Sequence, residues 1–449
     1  MIKELIEENK PLIRESWSVS WPMSLIMFSM FLIGLTDVYV AGKFGKEIQA
    51  AYGVAYQIYF IFSIIAFALT VGAVSVISRL FTSGKTDEFR AAVGSSIIIA
   101  LITGTCMSIL SFILAKPLIY SVSIPVPLKQ SATEFMKVYS LGLLFSYLLI
   151  NTNGILRGCK MIMQSLLTMG VICILNIILI VILALHSPLG FAGIAYATVS
   201  STIIGCLLNL VFVKKLVPEF FRFSRTISEE IVSIGWPAGL MQVFWQLGAG
   251  VLYLIIGALP KNNIETMAAF TNGLRVESAM FLPAFAFNMA AAVIVGNLLG
   301  KRNDEGAFKA GIVTAWLGVG IVSILSLLVI INARMIASFL SSDRIVVSES
   351  LKYIYISFFA EPIMAWGVIL AGGLNGAGDT RGVMLITALS IWLVRIPLAY
   401  FLGIYLGMGA VLIWWVMNLS IIVQTVFLTR RYFRKNWIVH GEKLVTASA

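Results

Sequence analysis

Five ionisable side chains interrupt stretches that are otherwise apolar: Asp37, Arg275, Glu277, Glu361 and Arg395. The stretches run to roughly 20 residues, the length that crosses a hydrocarbon core. A charge placed there costs about 2.5–3.5 kcal/mol on insertion scales, so it calls for a partner or a task. Away from the helix ends, the membrane interior of the first half of the chain has no basic residue that could neutralise Asp37. Burial in oil favours the neutral form of a carboxyl group, so such a group can take up and release a proton, and the proton removes the burial cost. Glu277 and Glu361 lie roughly 15–18 Å into their spans at about 1.5 Å per residue, deep enough to approach a central cleft together with Asp37. Arg275 and Glu277 are two residues apart and point to opposite sides of a helix, which makes them poor partners for each other. Glu361 precedes Pro362 and can equally serve a helix break. Arg395 is read as structural, pairing with an acid of the second half or with a lipid head group.

The elements that carry these groups follow from composition. Of 449 residues 59% are hydrophobic and only 12% charged, with a mean hydropathy of +0.96. A soluble domain would be about a quarter charged. Apolar spans are expected near 17–41, 51–80, 92–115, 133–157, 163–186 and 190–213, then near 233–258, 265–298, 309–332, 351–376, 383–405 and 408–429. The period-two alternation of a membrane barrel is absent. The charged start, residues 1–16, has no small-residue cleavage site and reads as an amphipathic interfacial helix rather than a signal peptide. The net charge of +11 is unevenly spread. In a twelve-span layout 21 of the 32 Lys and Arg residues fall on one side, among them Arg79, Lys85, Arg90, Lys214, Lys215, Arg222, Arg225, Lys301, Arg302, Arg430 and Arg431, and nine on the other. That bias places both termini in the cytoplasm. The basic charge therefore sets orientation, and no nucleic-acid partner is expected.

The chain repeats itself. Trp21-Pro22 is matched by Trp236-Pro237, Ala66-Phe67-Ala68 by Ala284-Phe285-Ala286, Gly84-Lys85 by Gly300-Lys301, and Leu189-Gly190 by Leu406-Gly407. Ile155-Leu156-Arg157-Gly158-Cys159-Lys160 is a fainter copy of Ala371-Gly372-Gly373-Leu374-Asn375-Gly376-Ala377-Gly378-Asp379-Thr380-Arg381. Six spans per half make the repeats parallel. The expected fold is an all-α integral membrane protein of twelve transmembrane helices, in two six-helix bundles related by a pseudo-twofold along the membrane normal. The divisions expected are an amphipathic segment 1–16, a first lobe 17–213, a cytoplasmic linker 214–232 broken by Pro218, a second lobe 233–430 and a tail 431–449. Two such halves enclose a cleft at mid-membrane, the architecture of a solute carrier. Gly372 and Gly376 have the small-xxx-small spacing of a tight helix contact.

Several of these strings carry a family resemblance along nearly the whole chain. Gly373-Leu374-Asn375-Gly376-Ala377-Gly378-Asp379-Thr380-Arg381 resembles the end of the tenth helix of multidrug and toxic compound extrusion (MATE) transporters. Arg275-Val276-Glu277-Ser278, Leu282-Pro283 and Val295-Gly296-Asn297-Leu298-Leu299-Gly300 are similar to that family's eighth helix, and Arg395-Ile396-Pro397-Leu398-Ala399-Tyr400 to its eleventh. The resemblance implies a drug or metabolite exporter driven by protons or sodium. Pro22 and Asp37 have the spacing of the DNA-damage-inducible F branch, which implies that Asp37 binds the coupling cation and that Pro22 lets the first helix bend. Asn176 and Thr198 match that branch's supporting ligands. Where the branch often has a second aspartate this chain has Ile180, so the resemblance stops short of a full sodium cage. Other members place an acid in helix seven; here that region offers Gln242 and Gln246.

On this reading Asp37 is the switch, Pro22 and Gly34 give the first span the means to bend, and the coupling ion is H⁺ or a Na⁺ held at Asp37 with Asn176 and Thr198. Glu277, Glu361, Gln242, Gln246 and Arg275 are candidates for coupling or substrate contact in the second lobe. Met27, Met241, Trp245, Met280, Phe287, Met289, Met364 and Trp366 are candidates for lining the cleft, since methionine repacks around varied ligands. The interior basic groups are only Arg275 and Arg395, which favours small organic cations or amphipathic drugs over an anionic pyrophosphate lipid. No nucleotide-binding Gly-x-x-x-x-Gly-Lys-Ser/Thr occurs, because Arg79 stands where the first glycine would. Transport must then run on an ion gradient. One charge moved across about 100 mV supplies ~2.3 kcal/mol, enough for roughly 50-fold accumulation. The alternatives are a flippase for a lipid-linked oligosaccharide and, less favoured, an intramembrane transferase. The latter needs an Asp-rich metal motif or a buried His, whereas His186 and His440 fall in a loop and a tail. Cys106, Cys159, Cys173 and Cys206 show no paired spacing. No cofactor, no enzyme activity, a lipid environment, a monomeric state and a prokaryotic inner membrane complete the expectation.

Overall fold

The computed structural model describes residues 2–122, 125–217 and 222–438. Pro218, His440 and the tail beyond residue 438 lie outside them. Among the described residues the secondary structure is entirely helical. The first six long helices are α1 (Ile2–Lys43), α2 (Lys46–Thr82), α3 (Thr86–Ser121), α4 (Val126–Gly158), α5 (Ile162–Leu185) and α6 (Ala192–Leu216). They are followed by α7 (Arg225–Gly257), α8 (Asn263–Gly300), α9 (Asp304–Ile331), the short α10 (Ala333–Leu340), α11 (Arg344–Ser357), α12 (Glu361–Gly376), α13 (Thr380–Tyr405) and α14 (Ala410–Phe433). Eleven of them are each long and apolar enough to cross a membrane, and the α11–α12 pair, bent by 54°, makes a twelfth span.

Three details differ from the sequence expectation. Residues 1–16 do not form a separate interfacial helix: from Ile2 onward they run without a break into the first span. The span expected at 351–376 is broken at Phe358–Ala360. Pro362 sits in the first turn of α12, where its fixed φ suits a helix start and its missing N–H costs nothing. The eight-residue α10 follows α9 after Asn332 alone; a span pattern gives no signal for so short an element.

The chain forms two compact units, Leu25–Gly239 and a second made of Met1–Ser24 with Leu240–Ala449. Both divisions fall two residues after a Trp-Pro pair, at Pro22 within α1 and Pro237 within α7. Each proline leaves the carbonyl four residues earlier without its helical donor, yet the helix continues through it.

The repeat is also written in the backbone. Left-handed φ values occur at Gly45 and Asn262, at Gly84 and Arg302, at Lys160 and Gly378, and at Gly190 and Gly407. Each pair is separated by 217 or 218 residues and closes the same turn in the two halves. Glycine adopts this conformation freely, but Lys160, Asn262 and Arg302 hold it without glycine's freedom, at φ 59°, 51° and 57°.

Close packing follows from small residues. A Cβ on Gly372 would sit 2.1 Å from the Asn288 carbonyl oxygen, and one on Gly376 2.1 Å from that of Ala292, so α12 and α8 meet backbone to backbone. This is the contact the glycine spacing predicts. The turn that follows is tied down by Asp379, whose carboxylate accepts two hydrogen bonds from the Arg431 guanidinium of α14, at 2.5 and 2.7 Å. Such forked pairs fix orientation as well as distance.

Candidate ion-coupling site

Asp37 lies on α1 with 2% of its surface exposed. Three hydroxyls converge on its Oδ2: Tyr52 of α2 at 3.3 Å, Tyr139 of α4 at 3.3 Å and Thr198 of α6 at 3.4 Å. The Asn176 side chain of α5 donates to Thr198 Oγ1 at 3.0 Å. Five helices of the first unit thus supply one constellation. All three bonds to Asp37 are longer than the usual 2.7–2.8 Å of an O–H···O bond, and all three use the same carboxylate oxygen. The other, Oδ1, is buried without a hydrogen-bond partner among the described residues, as is Asn176 Oδ1. No ion pair involves Asp37 among the described residues.

Sequence periodicity explains why the hydroxyls arrive there. Tyr52, Tyr56 and Tyr59 recur on α2 at three- and four-residue spacing, the repeat of one helix face. Tyr52 meets Phe135 edge-on at 5.5 Å, Tyr59 meets Tyr139 edge-on at 4.9 Å, and Phe135 stacks on Tyr139 at 4.7 Å. The rings form a packed wall from which Tyr52 and Tyr139 turn their hydroxyls to Asp37, while Tyr59 donates to Ser146 Oγ at 2.8 Å. Ile180, in the position of the second aspartate, is fully buried in the apolar cluster with Ala184, Ala195 and Tyr139. Tyr52 and Tyr139 were not singled out from sequence; tyrosines inside an apolar span, whose hydroxyls must find partners, were the available signal.

The second unit has its own buried acids. Glu277 of α8 accepts from the Tyr353 hydroxyl at 2.5 Å. Arg395 of α13 faces Glu277 electrostatically while donating from Nε to Ser420 Oγ at 2.8 Å. Glu361, at the first residue of α12, is 3% exposed and its Oε2 has no hydrogen-bond partner among the described residues; Glu277 is its electrostatic neighbour. Phe270, Tyr353 and Trp414 pack around this group with ring separations of 4.8–5.8 Å. Glu277 is buried and Arg275 exposed, as their two-residue spacing requires.

The remaining sequence candidates are spread through the fold. Met280 is buried with Ala333, Ile354 and Phe358, and Phe287 packs where Gly318 leaves room. Met364 is buried as well. Met27, Met241, Gln242, Gln246 and Met289 are half-buried. Trp245 is 38% exposed and touches Phe281 edge-on. Trp366 donates its indole N–H to Thr429 and meets Trp316 at 5.2 Å. Pro22 is buried, and Gly34 has open space where a side chain would be. All four cysteines are free, and among the described residues no group of three or more His, Cys, Asp or Glu is placed to hold a metal.

Comparison with known proteins agrees with this architecture. The MatE family model matches twice, over residues 22–182 and 237–401, and each match begins at the proline of a Trp-Pro pair. The chain is 25% identical over 439 residues to the uncharacterized transporter YisQ of Bacillus subtilis, covering 95% of both chains. It is 25% identical over 425 residues to the probable multidrug resistance protein NorM of Thermotoga maritima, covering 90% of this chain and 89% of the relative. The fold matches the Vibrio cholerae MATE transporter VcmN in its bent form with a TM-score of 0.89 at 18% identity, over 97% of this chain and 99% of the other. An outward-facing multidrug resistance MATE transporter matches with a TM-score of 0.88 at 20% identity, over 95% and 97% of the two chains. With the family model covering both halves, the chain belongs to the MatE family and is a multi-pass MATE transporter.

Proposed function

We propose that this transporter exports cationic or amphipathic organic compounds in exchange for protons, with Asp37 as the group that takes up the coupling ion. The observation that carries this reading is the state of Asp37: buried and, among the described residues, without an ion pair and with one oxygen that has no hydrogen-bond partner. A carboxylate held this way in a low-dielectric interior is expensive to keep charged, so capture of a cation relieves a cost that the fold leaves in place. The bound cation then changes which arrangement of α1 is favoured, and Pro22 and Gly34 supply the weak points at which that helix can respond. NorM of Thermotoga maritima is described as a probable multidrug resistance protein, which supports the substrate class.

Sodium is the second reading, favoured by one feature. Asn176 Oδ1 is a further buried oxygen without a donor, and oxygen donors of this kind suit a hard cation. Against it, Ile180 fills the position where a second carboxylate would complete the charge of the site. The distribution of Lys and Arg supports a cytoplasmic location for both termini.

The experiment is efflux of a fluorescent organic cation from proteoliposomes under an imposed pH gradient, an imposed sodium gradient, or neither. Protonic coupling predicts efflux with the pH gradient alone. Efflux that follows sodium at constant pH selects the second reading. Efflux that requires ATP and no ion gradient would overturn both.

A further inference from the structure

Arg275 contradicts the usual accounting for a charge in an apolar span. It lies 12 residues into α8, roughly 18 Å from the helix start at about 1.5 Å per residue, and is exposed. Among the described residues its guanidinium has neither a carboxylate nor a hydrogen-bond acceptor. Beside it is a groove of about 320 Å³ lined by Arg275, Val276, Met335, Ile336, Phe339 and Leu340. One wall is α10, whose Ala333 and Ala337 face are fully buried against the unit, while Met335 and Phe339 on the opposite face are 67% and 89% exposed. Val276 rests on the cluster of Met280, Ile354 and Phe358 below. The groove is therefore a firm apolar trough with a single positive charge and no negative one in its lining.

We propose that this groove is a phospholipid site, in which Arg275 holds the anionic phosphodiester and the trough along α10 takes an acyl chain. Water is a poor occupant, since the lining is nearly all hydrocarbon and exposed Phe339 and Met335 belong against oil. A cationic transport substrate is repelled by the one charge present. A lipid phosphate satisfies both features at once, because a guanidinium fork binds phosphate oxygens directly and basic pockets at helix surfaces select anionic head groups. A net-negative lipid is preferred over a zwitterionic one, whose own ammonium competes for the phosphate. The site does not depend on which ion drives transport.

The test uses purified full-length protein in mild detergent, with lipid retention read by native mass spectrometry and thermal stability measured alongside. Phosphatidylglycerol, phosphatidylcholine of the same chain length and inorganic phosphate are added separately to wild type, Arg275→Gln, Arg275→Lys and Phe339→Glu. The expected result is one retained phosphatidylglycerol per chain in the wild type. Its apparent affinity should be about tenfold weaker in Arg275→Gln and in Phe339→Glu, partly kept in Arg275→Lys, and the wild-type protein should bind phosphatidylcholine more weakly. Equal retention of phosphatidylglycerol by wild type and Arg275→Gln would overturn the proposal, as would stabilisation by inorganic phosphate alone to the same degree. Displacement of the lipid by a cationic dye would instead make the groove part of a substrate path. Arg275 is exposed, and unchanged melting of the lipid-free variants confirms that they fold.

Discussion

At the scale of single residues, two buried acids are handled in opposite ways. Asp37 is surrounded by weak donors and left without a counter-charge, whereas Glu277 has a short bond to Tyr353 and the Arg395 guanidinium nearby. The first is suited to exchange and the second to permanence. Removing one of three long bonds to Asp37 costs little, so Tyr52→Phe and Tyr139→Phe should each reduce the initial rate of gradient-driven efflux only a few-fold. The double variant should lose more than ten-fold, because a single hydroxyl then remains. In the second unit, Arg395→Ala leaves a buried carboxylate without its compensating charge and should destabilise by about 3 kcal/mol. Adding Glu277→Gln to it should restore much of the melting temperature. If the double variant melts no higher than Arg395→Ala alone, the two groups are not energetically linked. Asp37 was legible in the sequence because one acid in an apolar span is conspicuous. Tyr52 and Tyr139 were not, since an interior tyrosine looks the same whether its hydroxyl meets an acid, a serine or a carbonyl.

At the scale of elements, the spans and their order could be read from hydrophobic runs, and their ends only approximately. The break between α11 and α12 escaped because both pieces are apolar and Pro362 is compatible with either a kink or a start. The continuity of α1 escaped because charged residues near a terminus, followed by Pro11, read as a separate segment, whereas the helix runs through Pro11 into the span. Contacts between helices were legible where glycines left no choice. Gly376→Leu should separate α12 from α8 and cost several kcal/mol, read as loss of folded protein on size exclusion and a lowered melting temperature. The turns offer the opposite sign. Lys160 holds a left-handed φ that Gly378 holds in the second half, so Lys160→Gly should raise stability by about 1 kcal/mol with unchanged transport. A lower melting temperature in Lys160→Gly would show that its side chain contributes more than its backbone costs.

At the scale of the whole molecule, the sequence repeat, the paired left-handed turns and the twofold match to the MatE model describe one six-helix unit used twice. The two copies have diverged in where they bury their acids: the first on α1, the second on α8 and α12. That difference between the two interiors could not be inferred from the repeat alone. The claim on which this rests is that Asp37 couples the ion to export. Its most direct measurement is efflux of a fluorescent cation from proteoliposomes under an imposed pH or sodium gradient, comparing wild type with Asp37→Asn. The account predicts that Asp37→Asn, correctly folded by melting temperature, loses efflux under the gradient that drives the wild type. Gradient-driven efflux at the wild-type rate in Asp37→Asn would contradict it.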